Sequence, residues 1–359
     1  MRPEAIEAYS AAAGVIGNPA SVHRLGQRAR AALEEAREEL AECLGAQPSE
    51  VIFTSGGSEA DTLAVLGAWR AMALQRPRCL VSAIEHPAVL GAVEFGAELL
   101  PVNADGAVDV GLAKQLIDDR VALVSVMSVN NETGVVQPVA AVQQLAETAG
   151  AKVHSDAVQA LGHFRVDFAA SGLDLLSLSA HKVGGPVGIG ALLARRDVSF
   201  AQLGLGGGQE RGVRSGTNSV PLAAAFACAV RLAAEELEAE QARLTRLRDR
   251  VAQAVTAVGG RLNSRQDGAP HIVNATFDGI SADSLLFLLD QCGVHASVGS
   301  ACRAGVQQPS EVLLAMGRSA AEAAASLRFS LGRTTTLLDV ERLEQVLAPA
   351  VKRARGAQT

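Results

Sequence analysis

The sequence predicts an α/β protein, a large, mostly parallel mixed sheet flanked by helices, with a smaller α+β part at the C-terminus. Three observations carry this. Short apolar runs alternate with helix-compatible stretches over the first two-thirds of the 359 residues, the pattern of βα units. The runs are continuously apolar, as expected of strands covered on both faces. From about residue 222 the chain turns to long Ala-, Leu-, Glu- and Arg-rich helix, after which shorter alternating units resume. The length suggests about two domains, and 48% hydrophobic residues suffice for a large core.

In chain order, residues 51–54 (VIFT) are β-rich and are broken by Ser55-Gly56-Gly57, with helix-compatible sequence over 58–74. Apolar runs follow at 79–84, 121–126, 152–155, 175–178 and 188–193, with an amphipathic helix over 139–148. Residues 222–258 read as long helix with a break near Glu238, which places a boundary near 235. Beyond it come strand-like 271–277, helix 281–289, strand-like 294–298, helix 309–316, strand-like 326–331 and a last helix over 338–351.

Composition excludes several function classes. Net charge is 32 − 38 = −6, so nothing argues for stable nucleic-acid binding or an anionic membrane surface. The basic run Lys352-Arg353-Arg355 reads as a solvated tail. Eleven aromatics (9 Phe, 1 Tyr, 1 Trp) do not build a base-stacking platform. No apolar run reaches the ~18 residues of a membrane span, and the N-terminus MRPEAIEAYS lacks the features of a signal peptide. Five cysteines without paired spacing, Cys43, Cys79, Cys228, Cys292 and Cys302, predict neither a disulfide framework nor a metal site. A reducing cytoplasm is the expected setting.

Five segments have the residue types of a reactive site. Thr54-Ser55-Gly56-Gly57-Ser58-Glu59 is strand, glycine turn and helix start, where exposed N–H groups and the helix dipole bind anions; the same residues also describe an N-cap at Ser58. In Ser179-Ala180-His181-Lys182, before Val183-Gly184-Gly185-Pro186, a lysine just past an apolar strand suits a buried amine of lowered pKa, a Schiff-base nucleophile. A lone lysine is more commonly a solvated one. His154-Ser155-Asp156 ends another apolar run, with Gln159 three residues on. In a doubly wound sheet both Asp156 and Lys182 lie at carboxyl ends of strands, where ligands bind. A carboxylate and a Schiff-base lysine are what pyridoxal 5′-phosphate (PLP) requires. Segment 206–217 (GGGQERGVRSGT) reads as a glycine loop followed by a polar, phosphate-capable loop, or as a surface turn. In 297–305 (SVGSACRAG), glycines and small residues flank Cys302, and Arg303 beside it favours the thiolate. The other four cysteines lie in apolar contexts and read as packing residues.

Together with 17–23 (GNPASVH), 85–89 (EHPAV), 129–134 (VNNETG) and 328–333 (RFSLGR), these segments run in order through nearly the whole chain. In that order they resemble the cysteine desulfurases, PLP enzymes of the class V aminotransferase group with a type I fold. The branch it looks most like supplies sulfur for iron–sulfur clusters and thiolated tRNA. The resemblance implies a large PLP-binding domain over 10–235 and a small one over 236–359, joined by residues 1–9. It implies that Lys182 holds PLP and moves the Cα proton, that Asp156 pairs with the pyridine nitrogen, and that Gln159 bonds the ring hydroxyl. It gives His86 ring stacking and proton transfer. Gly57, Ser58, Ser179 and His181 would hold the phosphate, with Thr217 reaching it from the partner subunit of a homodimer. Asn131 and Arg328 would bind L-cysteine, and Cys302 would be the mobile nucleophile that carries a persulfide to a sulfur-acceptor protein such as an iron–sulfur scaffold. Without a family, His86 reads as a core histidine, Asn131 as a turn residue and Arg328 as half of a surface ion pair.

Two departures stand out. Members of the family usually open with a strand and an Ala-Thr-Thr-Pro turn, whereas this sequence starts near the following helix with Arg2-Pro3-Glu4, and the absent ~15 residues are ones that normally wall the substrate pocket. Arg303 stands where Ser or Thr usually follows the cysteine. Two alternatives stay open: another PLP-dependent C–S or selenocysteine lyase, with no need of Cys302, and an inactive scaffold paralogue.

Overall fold

The computed structural model describes residues 1–299 and 309–356. They form two compact units. The first comprises Met1–Leu100, Val110–Ser128 and Pro138–Leu237; the second comprises Pro101–Asp109, Val129–Gln137 and the chain from Glu238 onward.

The first unit is built on a seven-stranded sheet. Its strands are β1 (Val51–Thr54), β2 (Arg78–Ser82), β3 (Glu98–Leu100), β4 (Val121–Ser125), β5 (Lys152–Asp156), β6 (Leu175–Ser179) and β7 (Gly190–Ala194), in spatial order β1-β7-β6-β5-β4-β2-β3. Only β7 runs against its neighbours, pairing antiparallel with both β1 and β6. The sheet is therefore mixed and mostly parallel, as the sequence predicts. Strands β1, β4, β6 and β7 are buried at every residue, which is why they read as unbroken apolar runs.

The predicted helix over 58–74 is a single helical run, with α-helical turns at Gly57–Thr62 and Ala68–Met72 and a π-helical turn at Leu63–Gly67 between them. Helices Pro3–Ala13 and Arg24–Cys43 precede β1. Both pack along Val220–Glu235. Residues 1–9 lie in the first unit. Ala5 and Ala12 are their inward face, and Arg2 is buried beside Gly184.

In the second unit, β8 (Arg261–Leu262), β9 (Ile272–Thr276) and β10 (Ser326–Ser330) form an antiparallel sheet, ordered β10-β9-β8. Helices Leu237–Ala257, Ala282–Asp290 and Leu337–Gly356 cover it, around a core that includes Phe277, Leu285, Leu327 and Leu347. The strand expected over 294–298 does not form: only Ser297 bridges to Arg328. Segment 129–137 is tied to β9, because Asn274 Nδ2 donates to Glu132 O (3.1 Å) and Ala269 N donates to Gly134 O (2.7 Å).

Candidate active site

The reactive groups of the first unit gather where parallel strands end. Asp156 is the last residue of β5 and pairs in register with Ser177 of β6. β6 runs two residues further to Ser179 and enters the tight turn Ala180–Val183, which carries His181 and Lys182. Gly184 ends that turn at φ 82°, a left-handed conformation suited to glycine, and Gly185 N donates to Ala180 O (2.9 Å). Arg2 braces the turn from outside. Its N–H donates to Gly184 O (2.7 Å) and its Nε to Val183 O (3.1 Å), while Nη1 pairs with Glu236 (2.8 Å).

Lys182 is exposed, which corrects the expectation of a buried amine. Its charge acts on three neighbours, in each case after the larger effect of burial. Burial pushes the Asp156 carboxyl up to about 6, against the pull of the Val158 N–H (2.8 Å) and of the Lys182 charge. Burial holds His86 and His181 below the usual imidazole range, and Lys182 pushes both further down. Both are thus favoured as neutral rings. His86 Nδ1 accepts from Ala88 N (3.2 Å) as N-cap of Pro87–Leu90, and His181 Nδ1 lies 2.8 Å from Ser179 Oγ. Gln159 is half-buried on the turn after Asp156.

The glycine turn after β1 lies against the same strand ends. Helix begins at Gly57, with Gly56 as N-cap and no side-chain cap, so Ser58 is not the N-cap residue. Gly57 has no room for a side chain: a Cβ there would lie 2.9 Å from Val158 Cγ2 and 3.6 Å from Ser179 Cβ. Glu59 turns back to accept from Ser55 N and pairs with Arg214 (3.2 Å) of the polar loop. Thr217 is exposed on that loop.

Beneath these residues lies a cluster that the sequence reading missed as a unit. His154 Nδ1 sits 2.8 Å from Ser125 Oγ and its Nε2 sits 2.9 Å from Ser177 Oγ and 3.7 Å from Asp61 Oδ1. Burial drives His154 down to about 3, so it is neutral. Asp61 and Glu85 are buried and face the Asp156 charge, and burial first, then Asp156, raises both carboxyls well above their usual range. Asp61 Oδ1 and Glu85 Oε2 find no hydrogen-bond partner among the described residues, as suits protonated acids. The available signal was period 2: His154 and Asp156 share a face of β5. Asp61, on the helical run after β1, gave no signal.

Asn131 and Arg328 come together in the second unit. Arg328 Nη1 donates to Asn131 O (2.9 Å), while its Nε is buried without a partner among the described residues. Burial lowers the guanidinium pKa, against the charge of Glu132. This is not the surface ion pair that local sequence allows. It is a desolvated cation with an N–H unsatisfied, and carboxylates bind such forks with two parallel bonds. Glu132 accepts from Ser310 Oγ (2.5 Å).

Cys302 and Arg303 lie outside the described residues. Among the described cysteines, burial raises the thiols of Cys43, Cys79 and Cys228, which suits packing rather than reaction. No described group of three His, Cys, Asp or Glu residues is placed to hold a metal, and no described helix is long and apolar enough to cross a membrane.

Comparison with known proteins agrees with this arrangement. The family model described as Aminotransferase class-V matches residues 3–343. An IscS-like cysteine desulfurase of Mycobacterium tuberculosis is 48% identical, over 99% of this chain and 95% of its own. A solved structure described as a NifS-like protein superposes with a TM-score of 0.91 at 30% identity, covering 98% of this chain and 96% of the other. A structure of SspA in complex with cysteine superposes at 0.81, with 31% identity over 92% and 95% of the two chains.

Proposed function

We propose that this chain, which belongs to the aminotransferase class-V family, is a cysteine desulfurase that takes sulfur from L-cysteine, leaves L-alanine and passes a Cys302 persulfide to an acceptor protein. The family is generally PLP-dependent, and the residues at the strand ends fit that cofactor. One observation carries the reading: the Lys182 charge acts at once on Asp156, His86 and His181 at adjoining strand ends. An exposed primary amine, a buried carboxyl and two neutral imidazoles are the donor set a pyridine aldehyde phosphate needs. When bound, PLP supplies an electron sink at the substrate Cα.

The remaining work falls to the chain. Lys182 would hold the cofactor and would accept and return the substrate Cα proton. Asp156 would pair with the ring nitrogen, while the raised pKa values of Asp61 and Glu85 favour those acids as protonated and leave the negative charge to Asp156. Gln159 would bond the ring hydroxyl and His86 would stack on the ring. Gly57, Ser58, Ser179 and His181 would hold the phosphate, with Thr217 of a second subunit. Arg328 takes the substrate carboxylate, and Asn131, which anchors that arginine through its carbonyl, positions the substrate. The Cys302 thiolate attacks the substrate sulfur. The Cβ–S bond breaks with its electron pair moving to Cβ, which takes up a proton to give alanine, and the sulfur stays on Cys302. The resemblance of the motifs to the branch that supplies sulfur for iron–sulfur clusters makes a cluster scaffold the proposed acceptor. We place the reaction in a reducing cytoplasm, where Cys43, Cys79, Cys228 and Cys292 remain free thiols.

The test is Cys302→Ala in the holoenzyme. Alanine release from cysteine stops, while the absorbance of lysine-bound cofactor is unchanged. Alanine release at the full rate would instead make the chain a lyase with no use for Cys302.

A further inference from the structure

The loop after β7 is held in a conformation that its sequence does not favour. Glu210 and Arg211 have φ of 45° and 61°, the only positive values at non-glycine residues among the described residues. Such backbone is strained and persists where its surroundings impose it. Here the imposing group is the Glu210 carboxylate, whose side chain is 1% exposed. It accepts from Arg37 twice (2.7 and 2.9 Å) and from Phe53 N (2.8 Å), and Asn218 Nδ2 donates to it as well. Phe53 belongs to β1, which pairs only with β7 and so forms the edge of the sheet. Glu210 thus takes the place of a missing strand at an unpaired N–H.

A cleft of about 680 Å³ lies against the loop, walled by Arg30, Arg37, Arg196 and Arg211, and Arg211 Nη1 donates to Ala194 O (3.1 Å) and Ser49 O (3.3 Å). Thr217 is exposed between two tethered residues. Gly216 N donates to Gln209 Oε1 (2.9 Å) on one side, and Asn218 bonds Glu210 on the other.

We propose that Glu210 is a positioning residue: it clamps the 206–218 loop to the edge of β1 and so presents the Thr217 hydroxyl at a fixed place as an anion donor. This rests on the reading of Thr217 as a ligand of the cofactor phosphate.

The test is a double-mutant cycle on PLP retention by the holoenzyme, read from the bound-cofactor absorbance during dilution into a PLP trap. Thr217→Ala weakens retention about tenfold, the scale of one lost charge-assisted hydrogen bond. Glu210→Ala and the milder Glu210→Gln weaken it to a similar extent or less. The doubles with Thr217→Ala are no worse than Thr217→Ala alone, since both changes remove the same contact. Retention unchanged in both Glu210 variants, or losses that add in the doubles, would overturn the clamp. Unchanged retention in Thr217→Ala would overturn the reading of Thr217 itself.

Discussion

The strand ends of the first unit and the Asn131–Arg328 pair of the second unit solve opposite electrostatic problems. At the strand ends there are too many acids: Asp61, Glu85 and Asp156 are buried together, and Asp156 raises the cost of charging both of the others. The Val158 N–H and then the Lys182 charge work against the burial that raises Asp156. In the second unit a single guanidinium is stripped of water and only partly compensated, by a backbone carbonyl and the nearby Glu132 charge. One region is arranged to concentrate a negative charge, the other to await one. Catalysis by electrostatics depends on such groups being in place before the reaction.

This contrast can be broken at either side. The largest effect is expected from Lys182→Ala, which removes the amine and the charge that acts on its three neighbours. Alanine formation falls below detection, and the absorbance of lysine-bound cofactor disappears. Asp156→Asn keeps the shape but not the charge, and kcat falls by at least about a hundredfold, measured by alanine release at saturating cysteine.

On the other side, Arg328→Lys keeps the charge but loses the fork. It is expected to cost about 2–3 kcal/mol in kcat/KM, expressed mainly as a raised KM, with the bound-cofactor spectrum unchanged. A change confined to kcat would mean that Arg328 does not anchor the substrate carboxylate.

Arg2→Ala tests whether the lysine turn needs its brace. It removes hydrogen bonds to Val183 O and Glu236 but leaves the backbone bond to Gly184 O. A loss of about 1–2 kcal/mol in stability is expected, with a few-fold drop in kcat and an unchanged KM.

The last effect, on stability alone, concerns His154. Its folded pKa of about 3 lies below the unfolded value of ~6.5, so the unfolded chain takes up the proton first. The stability from keeping it neutral is present above about pH 6.5 and is lost as pH falls toward 3. Wild type should therefore lose its stability advantage over His154→Gln across that window in denaturant titrations. A constant difference would show that His154 does not stay neutral in the fold.

Much of the first region was legible because sheet geometry and polarity coincide there. Asp156 and Ser179 end five-residue runs that are buried almost throughout, so a polar residue at the end of an apolar run marked each. β3 was illegible for the converse reason: two of its three residues are exposed. β8 has only two residues, both exposed. Segment 294–298 misled in the other direction, since its apolar residues pack on the second unit's core while its backbone makes a single bridge. The pairing of Asn131 with Arg328 spans 197 positions, and only the family resemblance suggested it. Asp61 and Glu210 act through contacts between elements, and no local pattern announces those.

The central claim is that sulfur leaves cysteine onto one thiol of five. Mass spectrometry of the holoenzyme after a single turnover with L-cysteine tests it directly. The account predicts one added sulfur atom on the peptide carrying Cys302, none on those carrying Cys43, Cys79, Cys228 or Cys292, and one alanine for each sulfur bound. Alanine formed with no sulfur on Cys302, or with sulfur on another cysteine, would contradict it.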